Sequence, residues 1–120
     1  MSKIRMSEKN FGDFGERIAE KYLTQRSHVV IKKNYRTRYG EVDLICTKDD
    51  VTIFVEVKTR RSGSFGYPED AISKKKMRRL VVTATHYMVN RYGPWQIDVL
   101  AIMMSRDGRV DIRHFPNCIY

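Results

Sequence analysis

Two acidic residues and a lysine on neighbouring β-rich runs are the side chains of this sequence best suited to chemistry. Asp43 lies in residues 41–47 (EVDLICT), and Glu56 and Lys58 lie in residues 51–59 (VTIFVEVKT). Lys48-Asp49-Asp50 between the runs reads as a hairpin turn. Strand side chains alternate faces, so Glu41, Asp43 and Ile45 are expected on one face, as are Phe54, Glu56 and Lys58. A symmetric turn over Asp49-Asp50 pairs residues whose numbers sum to 99, setting Asp43 opposite Glu56 and Glu41 opposite Lys58. Directly opposed Cβ atoms are ~4.5–5.5 Å apart, near enough for two carboxylates to share a cation. Like charges so placed are destabilising unless compensated, and burying one unpaired costs several kcal/mol. A wet face with an ordinary Glu–Lys cross-strand pair satisfies this pattern, and so does a site completed by a hard divalent cation. Carboxylate and carbonyl oxygens suit Mg²⁺ or Mn²⁺, and no His/Cys cluster argues for zinc.

The elements that must position these residues follow from hydrophobic period and turn chemistry. Phe11, Phe14, Ile18, Ala19 and Tyr22 recur at helical spacing, predicting an amphipathic helix over 11–25 with Asn10 as its cap. Residues 28–35 (HVVIKKNY) read as a short strand, followed by a basic, aromatic loop at 36–40. Residues 60–67 (RRSGSFGY) read as a flexible loop. Pro68, Glu69 and Asp70 suit the first turn of a second helix that runs to about Asn90, where Gly93-Pro94 stops it. Strands are expected over 95–104 and 110–115, joined by the turn Arg106-Asp107-Gly108. The order is helix, three strands, helix, two strands. It predicts one α/β domain over 1–120 with a mixed five-stranded sheet flanked by helices and a flexible segment at 1–9.

The chain has 120 residues, with 23 Lys and Arg against 14 Asp and Glu, a formal net charge of +9. Apolar residues make up 42% of it, enough for a core, so disorder is excluded. No apolar run approaches the ~18 residues of a membrane span. The N-terminus MSKIRMSEKN lacks the apolar region of a signal peptide, which points to the cytoplasm. Cys46 and Cys118 are the only two cysteines and lack CxxC spacing, so free thiols are expected. The positive charge suggests a polyanionic partner, nucleic acid before membrane; a structural basic protein of a larger complex would share it but leave the acid–lysine set unexplained.

Gly40-Glu41-Val42-Asp43-Leu44-Ile45 followed by Phe54-Val55-Glu56-Val57-Lys58-Thr59-Arg60 resembles the D…(E)xK core of restriction-endonuclease-like nucleases. Val42 stands where that superfamily often has proline. With Gly15-Glu16, Ala19, Asn34, Phe65-Gly66, 76–80 and Ile97-Asp98-Val99, the sequence over roughly 11–115 resembles the small bacterial YraN-like family, which is likened to archaeal Holliday-junction resolvases. The resemblance implies a restriction-endonuclease-like fold and Mg²⁺- or Mn²⁺-dependent hydrolysis of DNA phosphodiesters. Asp43, Glu56 and the Val57 carbonyl would hold the metal, and Lys58 would orient or help deprotonate the attacking water. Glu16 resembles the first-helix acid that related resolvases add to the site; a solvated helix edge fits its position equally. Lys76 shares a helix face with Ile72 and Leu80, where it either snorkels past the core or points to the site as an auxiliary residue. The resolvase likeness extends to a homodimer.

Basic and aromatic residues interleave beside the carboxylate strands, at 32–39 (KKNYRTRY) and 60–67. Arg36, Arg38, Arg60 and Arg61, with Lys75 and Arg79 on the second helix, are the candidate nucleic-acid contacts, supplying sequence-independent phosphate binding beside aromatics that can stack on unpaired bases. Nothing resembles a base-reading motif, so structure-selective or weakly selective cleavage is favoured over sequence-specific cleavage, and the resolvase resemblance implies branched or junction DNA. The rival expectation is a non-catalytic nucleic-acid-binding module that keeps the nuclease fold. His28, His86 and His114 are scattered, and none needs a catalytic role.

Overall fold

A computed structural model of the chain describes residues 6–61 and 72–118. In chain order the elements are α1 (Glu8–Gln25), β1 (Val29–Thr37), β2 (Gly40–Lys48), β3 (Val51–Arg61), α2 (Lys74–Met88), β4 (Trp95–Met104) and β5 (Val110–Phe115). The five strands form one sheet in sequential order. β1, β2 and β3 pair antiparallel, β3 and β4 pair parallel through the α2 crossover, and β4 and β5 pair antiparallel. The sheet is therefore mixed, in the element order expected from the sequence.

The helices cover opposite faces. Ala19 and Leu23 of α1 pack on Leu44, Cys46, Ile53, Val55, Leu100 and Ile102. Leu80, Ala84, Tyr87 and Met88 of α2 pack on Val42, Ile45, Phe54 and Ile97. β3 lies between both layers, which is why its sequence is a continuous apolar run rather than an alternating one. α1 crosses β3 in direct contact: a Cβ on Gly15 would lie 2.0 Å from Thr59 Oγ1, so only glycine permits this approach. The neighbouring Glu16 is carried to the sheet by it.

Several boundaries differ from expectation. α1 starts at Glu8, capped by Ser7, whose hydroxyl accepts the Asn10 N–H at 3.1 Å; Asn10 is not the cap, and Lys9 is helical rather than flexible. β1 and β2 extend until Thr37 pairs with Gly40, which shrinks the expected 36–40 loop to a tight turn at Arg38-Tyr39. There Thr37 Oγ1 accepts the Tyr39 N–H at 3.0 Å, a side-chain bond that closes the turn early. α2 begins at Lys74, where Ser73 accepts the Lys76 N–H at 3.1 Å. Pro68, Glu69 and Asp70, expected in its first turn, lie outside the described residues, as does the 62–67 part of the expected loop.

The 98–118 region is pinned by a polar network. Asp98, 1% exposed, accepts His114 Nε2 at 2.7 Å, Gln96 Nε2 at 2.8 Å and the Asn117 N–H at 2.9 Å. Tyr22 Oη meets His114 Nδ1 at 3.2 Å, tying α1 to β5. Although burial works against it, these donors hold the Asp98 carboxyl below the ordinary aspartate value. The histidines are thus scattered in sequence, but His114 belongs to this buried structural set. A β4–β5 register centred on Asp107 would have found it, since it sets His114 opposite Leu100, on the Asp98 face. Cys46 is buried and free, and burial, aided by the Asp98 charge, pushes its thiol up to about 12; Cys118 is also free.

Candidate functional site

The β2–β3 hairpin turns over Asp49 and Asp50, both at positive φ (51° and 65°), the condition of a two-residue hairpin turn. Its register, Lys48↔Val51 through Leu44↔Val55, is the one a symmetric turn requires. The ladder ends there. One residue further, Asp43 Oδ2 accepts the Val57 N–H at 2.7 Å, so a side chain takes the place of the next backbone partner. The pleat is interrupted at the same point: Val42 and Ile45 both pack on the α2 side, while Leu44 and Cys46 pack on the α1 side. Glu41, Asp43 and Ile45 therefore do not form the regular face that alternation predicts. Glu41 is exposed and pairs with Arg36 at 3.2 Å, not with Lys58, because the strands have parted before reaching it.

Glu56 follows on β3, 4% exposed, on the side that faces α2. Lys76, in the first turn of α2, places Nζ 2.6 Å from Glu56 Oε1. Of the two readings of Lys76, the one that points it at the site is observed. Lys58, two residues beyond Glu56 on the same face, meets the Lys76 ammonium. Asp43, Glu56, Lys58 and Lys76 are thus brought together where β2 and β3 diverge. Glu16 approaches from α1 beside Asp43 and the Asn34 side chain. Asn34 itself adopts a left-handed backbone (φ 50°) at the β1 position across from Asp43.

The electrostatics are those of a crowded acid pair. Burial, then the Glu56 charge, pushes the Asp43 carboxyl up to about 7, against the pull of the Val57 N–H and Lys76. Glu16 is raised by partial burial and then by Asp43. Burial and the adjacent Lys76 ammonium lower Lys58. Burial opposes the charge of Lys76 too, but contact with Glu56 outweighs it and raises Lys76 above the ordinary lysine value.

Among the described residues no three His, Cys, Asp or Glu side chains converge as a ready-made metal cluster. The donors that fit a hard cation are two carboxylates, Asp43 and Glu56, in a place where their mutual repulsion calls for positive charge. Within a strand the N–H and C=O of one residue point to the same side. The Val57 carbonyl therefore faces the gap into which Asp43 projects.

The candidate nucleic-acid contacts divide. Arg60 shares the Lys58 face and adds to the positive potential there. Arg61 faces α1 instead, bonding Glu8 Oε1 at 3.0 Å and lying 4.1 Å over the Phe11 ring. Arg38 lies over the Tyr39 ring, and Arg36 is held by Glu41. Lys75 and Arg79 are exposed on α2, and Arg79 lies near Gly40 at the start of β2.

Fold and site together define an α/β protein whose mixed sheet parts at one end around a half-buried Asp43, a buried Glu56 and two lysines. The chain belongs to the Uncharacterised protein family UPF0102, whose profile matches residues 15–102, a span that holds every one of these site residues. A UPF0102 protein of Syntrophomonas wolfei is 41% identical over 112 residues, covering 91% of this chain and 96% of that protein. Another, from Dictyoglomus turgidum, is 36% identical over 116 residues, covering 93% and 98%. A third, from Clostridioides difficile, is 37% identical over 102 residues, covering 82% and 90%. No helix among the described residues is long and apolar enough to cross a membrane.

Proposed function

We propose that this chain is a metal-dependent DNA endonuclease of restriction-endonuclease-like fold, acting on branched or junction DNA. The observation that carries the reading is the meeting of Asp43, Glu56 and Lys58 at the point where the β2–β3 ladder opens. Asp43, Glu56 and the Val57 carbonyl would hold Mg²⁺ or Mn²⁺, with Glu16 close behind Asp43. Bound there, the ion supplies Lewis-acid polarisation of the scissile phosphate and of the attacking water. Water adds to phosphorus, one P–O ester bond breaks, and the products are a phosphate monoester and a hydroxyl end. Lys58 is placed to orient that water and to offset charge that grows on the phosphoryl oxygens. Helping to deprotonate that water is the second role the family resemblance gives it. Arg60, Lys75 and Arg79 supply phosphate contacts around the site, and the Arg38-Tyr39 turn presents an aromatic beside them.

A second reading rests on the Lys76–Glu56 pair. An acid already neutralised by a lysine tolerates burial without a metal, as suits a binding module that keeps the fold and performs no chemistry. Labelled junction, flap, single-stranded and duplex DNAs, each incubated with Mg²⁺, Mn²⁺ or EDTA, separate the two. Metal-dependent cleavage favouring branched DNA supports the nuclease; salt-sensitive binding without cleavage under any condition replaces it with the binding module.

A further inference from the structure

The ion pair between Lys76 and Glu56 has the geometry of an occupied cation position. Lys76 Nζ lies 2.6 Å from Glu56 Oε1, and the Glu56 side chain is only 5% exposed. A divalent ion held by the same carboxylate would repel the ammonium as a like charge. Each therefore weakens the other's hold on that group. The location of Lys76 adds to this. It lies in the first turn of α2, which carries Lys74 and Lys75 and no acidic residue. A helix N-terminus disfavours cations, so Glu56, with Asp43 behind it, is what offsets the charge of Lys76 there. The Lys76 side chain is 39% exposed and can turn outward about its own aliphatic stem without disturbing the core.

We propose that Lys76 is a resident counter-cation of Glu56 that competes with a divalent ion for this carboxylate, and that the ammonium, its hold on Glu56 weakened by the ion, turns to the DNA phosphate. This rests on the nuclease reading above. In the metal-free protein Lys76 keeps the acid pair tolerable and the site shut to weakly bound cations. Once an ion binds Glu56, Lys76 is held less firmly beside a helix N-terminus that itself favours anions. A phosphate answers both charges. Metal capture and substrate capture are thereby coupled through one side chain.

The coupling gives Lys76 a signature of opposite signs, which a merely structural lysine would lack. Mn²⁺ binding to the full chain, followed by the electron paramagnetic resonance signal of free Mn²⁺, should tighten in Lys76→Met by about 10-fold, within the usual range of coupling between two sites. Cleavage of junction DNA at saturating Mn²⁺ should fall in the same variant. Lys76→Arg, which keeps the charge, should bind Mn²⁺ as the unaltered chain does. Lys76→Gln, which keeps a hydrogen bond to Glu56 without the charge, should tighten Mn²⁺ binding even if Lys76→Met folds poorly. Equal or weaker Mn²⁺ affinity in both neutral variants, with binding intact in the unaltered chain, would overturn the counter-cation role alone. No Mn²⁺ binding by any of these proteins would overturn the metal-dependent reading and this role together.

Discussion

Asp43 Oδ2 accepts the Val57 N–H at 2.7 Å, in the place where the β2–β3 ladder would otherwise continue through its backbone. One bond thus ends the sheet pairing, aims the Val57 carbonyl at the gap and fixes the Asp43 carboxylate beside Glu56. The arrangement costs stability in the absence of a cation, since burial and Glu56 both oppose the charge of Asp43.

That cost has a definite sign with pH. Asp43 is raised from the ordinary aspartate value of 3.8 to about 7, so the folded state binds more protons than the unfolded state between these values. Stability from this group is full below pH ~4, falls as pH rises through the window, and stays low above pH ~7. Asp43→Asn, which keeps an oxygen for Val57, should melt about 5 °C higher than the unaltered chain at pH 8 in EDTA. The gap should close towards pH 4, and saturating Mn²⁺ should reverse it. Calorimetry at both pH values, with and without Mn²⁺, checks each part; a lower melting temperature at pH 8 in EDTA counts against the crowded acid pair.

Lys58→Ala leaves both carboxylates in place, so Mn²⁺ binding should persist. DNA affinity should drop modestly, because one phosphate contact among many is lost. Cleavage should fall by roughly 10²–10³-fold, the scale seen when one transition-state charge stabiliser is removed. Single-turnover rates on labelled junctions measure this. Identical traces of nicking from the unaltered and altered chains would mark that activity as contamination.

Arg60 and Arg61 are adjacent in sequence and face opposite sides of the sheet. Arg60→Ala should weaken binding to DNA of any sequence and reduce the slope of log affinity against log salt by about 1. Arg61→Ala should instead loosen the start of α1, where Arg61 bonds Glu8 and the Met6 carbonyl, and leave the salt slope nearly unchanged. Salt titrations of both variants, with hydrogen exchange at residues 8–12, distinguish the roles. Equal loss of slope in the two would show that Arg61 reaches the DNA.

Gly15→Ala places a methyl 2.0 Å from Thr59 Oγ1 and 3.0 Å from Thr59 Cβ, so α1 must shift off β3. Overpacking of this kind costs about 1–3 kcal/mol. Denaturant unfolding should show that loss, and Thr59→Ala should restore part of it by removing Oγ1. If the double variant is no more stable than Gly15→Ala, the close approach is not the cause.

The order of elements, the mixed sheet and the hairpin register were legible because each depends on neighbours in sequence. Period-two alternation, the double-sided apolar run of β3 and a turn over two aspartates suffice to align Leu44 with Val55. They also single out Asp43, Glu56 and Lys58. What the sequence could not decide is where side chains turn once distant elements meet. Nothing local says that Asp43 caps Val57, that Glu41 turns to Arg36, or that Arg61 turns to α1. Lys76 could be placed on an apolar helix face but not on Glu56, because that contact depends on how α2 crosses the sheet. His114 and Asp98, far apart in sequence, meet only through the β4–β5 register. Periodicity in the chain determines which face a residue takes, since backbone geometry repeats locally. Which buried charge meets which partner is decided by packing, because unpaired charge inside the fold is too costly to leave unanswered.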